Sequence, residues 1–309
     1  MFRNPRLLLL AFALAAGVVL VALLASTIGR APVRPPLPNP NGYDDFIKAG
    51  EAVLGDISDW PVLDHDSLRD LVSTNAEPLR LLRLGLTRQC VMPMDSALTN
   101  AAGSINQLAR MKRLVHVLAA EGRLREMEDR PAEAARSYVD AIRFGNAMSR
   151  GGFLITRLVG IACERIGYAP LAKLAPKLNP DEARAVLTAL DKLDAGRVTW
   201  AEVQQSERRY MRYERGKQFN PIIWVMHWWR IRQAMQRAET KHKTMVARER
   251  LLAAELALRR YQSEQGHPPA RLDDLVPNYL SKVPQDPFSG QPLIYRAQGT
   301  NWLLHSAGL

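Results

Sequence analysis

Two hydrophobic patterns divide the chain. Leu7 to Ile28 contains no charged side chain, whereas from Tyr43 onward apolar residues recur at three- and four-residue steps. At about 1.5 Å per residue the first run crosses a hydrocarbon core roughly 30 Å thick, which predicts a transmembrane helix. Arg3 and Arg6 would also suit a signal peptide, but the run exceeds a usual h-region, and Leu23 and Leu24 spoil the small-residue cleavage pattern. An uncleaved anchor over residues 1–30 is therefore expected. Pro32, Pro35, Pro36, Pro38 and Pro40 follow, fixing φ and removing backbone donors, so residues 31–42 form a stiff extended linker.

In the body, residues 43–244, Ile105, Leu108, Met111, Val115 and Leu118 define one helical face. Gly122 and Pro131 are expected to bracket a turn. The next helix presents Ala134, Ala135, Tyr138, Ala141, Ile142 and Gly145, and a third presents Leu154, Leu158, Ile161, Ala162 and Ile166. Small residues on these faces let helices approach closely as antiparallel pairs. Asn179-Pro180-Asp181 is a start signal and Gly196 a stop, predicting a helix over 180–195.

The pattern changes again over residues 245–309. A helix with Leu251, Ala254, Leu258 and Tyr261 on one face is expected to end at Gly266, followed by a short helical turn with Leu272, Leu275 and Val276. Pro284, Asp286-Pro287-Phe288 and Gly290-Gln291-Pro292 are turn chemistry, and two short strands, 293–296 and 302–305, flank Gly299 as a hairpin. The fold class is mostly α, with a small α+β module at the end. Alanine, leucine and arginine dominate the composition, which favours helix independently of the periodicity.

Charge is localised. Between Arg208 and Arg250 twelve cations face Glu214, Glu239 and Glu249, so nine of the eleven net positive charges fall there. Within the segment Trp224 and Trp228 share a helical face beside Trp229. Tryptophan favours the membrane boundary and arginine favours anionic headgroups. Arg208, Arg209, Arg212, Arg215, Trp224, Trp228, Trp229, Arg230 and Arg232 are thus candidates for contact with the bilayer surface or another anionic partner. The competing reading buries the tryptophans in the core and leaves the arginines in water. Lipid and protein partners are expected, and nucleic acid is not.

His65, His116, His227, His242, His267 and His305 show no metal-ligand spacing, and no GxSxG elbow or glycine-rich phosphate loop is written. His65-Asp66 lacks an upstream histidine to complete a metal pair, and an aspartate there suits a helix cap. No catalytic residue, metal or cofactor is assigned. Cys90 and Cys163 leave open either one disulfide or two separate buried thiols.

Ala120, Gly122, Ala132, Ala135, Tyr138 and Ala141 give 118–145 a resemblance to a tetratricopeptide repeat, which implies hairpin packing of paired helices. Tyr261, Gly266, Pro269, Leu272, Leu275, Pro284, Asp286, Pro287, Phe288, Gly290, Pro292, Tyr295, Ser306 and Gly308 run in the order found in the major pseudopilin of type II secretion systems, whose globular end this module resembles. In that family the membrane segment begins the same helix behind a prepilin-peptidase site; here about two hundred residues intervene. The family's calcium site uses an acidic residue after the last glycine, where this chain has Leu309, and no calcium is expected. The whole layout resembles membrane-anchored proteins of planctomycete and verrucomicrobial type bacteria.

The expected function is that of a non-catalytic, inner-membrane-anchored scaffold with its bulk outside the cytoplasm, presenting the module to partner proteins of a secretion or pilus-like assembly. The rival class is an extracytoplasmic enzyme with dispersed catalytic residues.

Overall fold

The computed structural model describes residues 36–93, 101–215 and 221–309. Helices α1 (Gly42–Glu51), α2 (His65–Thr74), α3 (Ala76–Thr87), α4 (Ala101–Met127), α5 (Pro131–Met148), α6 (Leu154–Leu174), α7 (Pro180–Ala195), α8 (Trp200–Arg215) and α9 (Pro221–Gln265) are followed by β1 (Ile294–Gln298) and β2 (Asn301–His305). The chain is thus mostly α with a C-terminal hairpin. The anchor expected at 1–30 lies outside the described residues, and among those described no helix is long and apolar enough to cross a membrane.

Local chemistry sets the helix ends. Asp64 caps α2 by accepting from Ser67 N at 2.8 Å, the role read for an aspartate beside His65. Asn179 and Glu182 form a capping box on α7, with Gly196 at its end, and these bounds match the start and stop signals. Gly266 stops α9 at φ +78°, a backbone region glycine enters without steric cost.

Gly122 plays a different part from the one its residue type suggested. Helix α4 continues to Met127, the turn falls at 128–130 with Asp129 at φ 55°, and Gly122 lies inside the helix directly under the Tyr138 ring. A side chain there would collide with that ring, so the glycine sets the spacing of α4 and α5.

One core cluster gathers α1 to α4 around Tyr43, Phe46, Leu68, Leu82, Met111, Leu114 and Leu118, with Phe144 of α5 standing edge-on to Phe46 at 4.8 Å. Ile105 departs from the expected face and is 63% exposed. The second cluster joins Tyr138 and Ile142 to Leu187 and Leu190 of α7, Ala254 and Leu258 of α9, and Leu275 and Leu293 beyond it. Residues on both sides of position 245 therefore share one core, and α9 runs unbroken through that position.

Helix α6 divides in an unexpected way. Its buried residues are Thr156, Arg157, Gly160, Cys163, Glu164 and Gly167 with Ile161, Leu171 and Leu174, so that of the apolar face expected to pair with its neighbour only Ile161 is buried. Gly160 and Gly145 bring α6 and α5 so close that a side chain at Gly145 would sit 2.5 Å from the Gly160 carbonyl oxygen. Close backbone approach thus selects the small-residue stripe. Leu154, Leu158, Ala162 and Ile166 are left half-buried on the other side.

The hairpin pairs Ile294 with His305, Tyr295 with Leu304 and Ala297 with Trp302. Tyr295, Trp302 and Leu304 pack onto the second core, with Trp302 Nε1 donating to Glu255 of α9 at 2.9 Å. Ile294 and Leu303, on the opposite face, stay 44% and 46% exposed.

Candidate functional site

The polar stripe of α6 builds a buried ionic network. Arg157 and Glu164, two turns apart, are fully buried and meet in a fork at 2.6 and 3.0 Å. Arg157 also donates through Nε to His242 Nδ1 at 3.1 Å and through Nη1 to Ser149 Oγ at 3.2 Å. Because Nδ1 accepts, the neutral ring carries its proton on Nε2. Burial, reinforced by the Arg157 and Arg197 charges, pushes the His242 pKa down to about 3.

A second layer lies beside it. Arg197 contacts Glu249, and Asp194 accepts from Arg250 at 3.0 and 3.1 Å with Lys282 at 3.7 Å. Burial raises the Glu249 carboxyl to about 7 against the pull of Arg197, and burial works on Arg197 too, yet its carboxylate neighbours raise the guanidinium. A cavity of about 30 Å³ borders Asp194, Arg197 and Glu249. These ionisable groups bind one another, so the network locks α6, α9 and the 196–199 connection together.

A larger opening lies between α4, α6 and α9. The groove, about 840 Å³, has Leu158, Ile161, Ala162, Ile166 and Met245 along its floor and Trp60 and His116 at one side. Lys112, Arg165, Lys241 and Arg248 surround it, and among the described residues no carboxylate lines it. Trp60 Nε1 donates to His116 Nδ1 at 3.0 Å, which leaves the Nε2 hydrogen as the ring's donor. Burial, then Lys112, lowers the His116 pKa, keeping the ring uncharged at neutral pH. This site was missed in the sequence because its floor is the stripe of α6 assigned to helix pairing, and its cations come from three separate helices.

The residues expected at an anionic surface fall on α8 and α9. Arg208 is exposed and Arg209 half-buried on α8, and Arg232 is exposed on α9. The side chains of Arg212, Arg215, Trp224, Trp228, Trp229 and Arg230 lie outside the described residues.

The C-terminal motif residues do assemble. Asp286, 1% exposed, accepts from Phe288 N at 2.9 Å, Ser306 Oγ at 2.9 Å and Ala307 N at 2.6 Å. Burial opposes its ionisation, but these donors together lower its pKa. Gly290 donates to the Asp286 carbonyl at 2.8 Å with φ 72°, and Pro292 bridges to Gln285. The Pro284 carbonyl accepts from Leu293 N at 3.0 Å, and Phe288 covers Gly308. Tyr295 donates to the Pro269 carbonyl at 2.7 Å, while Tyr261, just before the Gly266 stop, lies 5.3 Å from Tyr279. Pro287 is half-buried in the same turn.

Cys90 and Cys163 are separate buried thiols, each pushed up to about 12 by burial. Among the described residues no group of three or more His, Cys, Asp or Glu could hold a metal ion. No family model, no curated protein and no solved structure matches this chain.

Proposed function

We propose that this protein is a non-catalytic scaffold of the bacterial cell envelope. Residues 1–30 anchor it in the inner membrane, tetratricopeptide-like paired helices form the support, and the pseudopilin-like module meets protein partners of a secretion or pilus-like assembly. The observation that carries this reading is the hairpin. One face is fixed to α9 through Trp302 and Tyr295, its base is tied by Asp286, and Ile294 and Leu303 remain in water on the other. A rigid sheet face with exposed apolar side chains suits protein recognition. The ionisable groups of the interior network bond to one another, which suits a support for that face.

The test is crosslinking in native membranes followed by pull-down, comparing the full chain with an Ile294→Asp/Leu303→Asp variant. Both positions are exposed, so the fold is retained, and loss of captured partners is expected. An unchanged partner set sinks the reading. Deleting residues 245–309 is the poorer test, since it removes much of the second core.

A further inference from the structure

The groove between α4, α6 and α9 has a composition unlike the rest of the surface. Its floor is the most apolar stripe of α6, which the glycine contacts with α5 leave turned away from that neighbour. Leu158 and Pro170, both lining it, are twelve residues apart, about 18 Å along the helix axis. Its volume of about 840 Å³ lies within the roughly 300–1,000 Å³ of small-molecule sites.

The charge around it is one-sided. Lys112 comes from α4, Arg165 from α6, and Lys241 and Arg248 from α9, and none of the four forms an ion pair among the described residues. This contrasts with the neighbouring interior, where Arg157, Arg197 and Arg250 each have a carboxylate. Four uncompensated cations at the edge of an apolar trough favour a ligand with an anionic head and a single hydrocarbon chain. A phosphate monoester, with a charge of about −1.5 to −2 at neutral pH, balances four cations better than a single carboxylate does. The arginines offer planar forks that match phosphate oxygens, and His116 adds a neutral donor rather than a fifth charge.

We propose that this groove binds a single-chain lipid phosphate monoester, its chain along Leu158, Ile161, Ala162 and Ile166 and its head among Lys112, Arg165, Lys241 and Arg248. Binding here is separate from the hairpin face, so the site stands or falls independently of the partner surface.

The experiment uses the full chain in nanodiscs of zwitterionic lipid, photolabelled with a diazirine derivative of hexadecyl phosphate and mapped by peptide mass spectrometry. Label is expected on α6 and α9, competed by hexadecyl phosphate but not by hexadecanol, hexadecyl phosphocholine or inorganic phosphate. The exposed pair Arg165→Gln/Lys241→Gln should weaken competition by about tenfold, because it removes two of the four cations that line the groove. Ala162→Trp, which fills the floor and leaves every cation, should also reduce label on α6. A melting temperature close to the unmodified chain's checks that each variant is folded. Label confined to the anchor, or label on α6 unaffected by both variants, overturns the proposal. Competition by inorganic phosphate alone would reduce the groove to an ion site. Stronger competition by an acidic peptide or an oligonucleotide would assign it to a macromolecule; either result also overturns the lipid assignment.

Discussion

Arg157 is fully buried and holds Glu164, His242 and Ser149 at once. Burying charges is costly unless each has its partner, and these partners lie 7, 85 and 8 residues away. Only the Glu164 spacing, two helical turns, was legible as a possible contact. His242 gives this network a measurable pH dependence. With its pKa lowered to about 3, the folded chain refuses a proton that the unfolded chain accepts below about 6.5. Its contribution is present above that value and is lost as the pH falls towards 3. Glu249 runs the other way: raised to about 7, it favours the folded state less as the pH rises between its unfolded value and 7. Comparison with His242→Gln isolates the histidine. Between pH 7 and pH 5 the unmodified chain should lose about 2 kcal/mol relative to the variant in denaturant melts, and parallel pH curves for the two would show that His242 does not titrate this way.

At the scale of elements, capping and periodicity served well where one helix carries the whole signal. Asn179, Glu182 and Gly196 enclose α7, Asp64 starts α2, and Gly266 ends α9, because each acts on backbone groups within a few residues. The face that a helix buries is less local. Helix α5 buries the stripe its pattern implies, whereas α6 buries glycines and an ion pair and exposes part of its apolar stripe to the groove. The contact between Gly145 and Gly160 decides this. Gly160→Ala would drive a methyl group into the Gly145 carbonyl, and a loss of about 1–3 kcal/mol is expected, read as a lower melting temperature. Ala substitution at the exposed position Ile155, on the same helix, is the control and should change little.

For the whole molecule, orientation in the membrane is the open consequence of the proposed anchor. Under that proposal Arg3 and Arg6 match Arg30 and Arg34 beyond the apolar run in number and the terminal amine adds to the first side, so the body is expected outside the cytoplasm. Alkaline phosphatase fused at Leu309 should then be active and a fluorescent protein at the same place dark; the reverse pair of results would invert the topology. The sequence by itself determined the helical class, the start and stop of α7, the end of α9, the hairpin around Gly299 and the turn chemistry that meets at Asp286, since these depend on short-range spacing and backbone capping. Tertiary structure alone decided which stripe of α6 is buried, which charges are taken out of water, that residues before and after 245 share one core, and that four cations from three helices surround one apolar trough. Those outcomes depend on how closely two backbones approach and which distant side chains can neutralise one another, quantities that no local period contains.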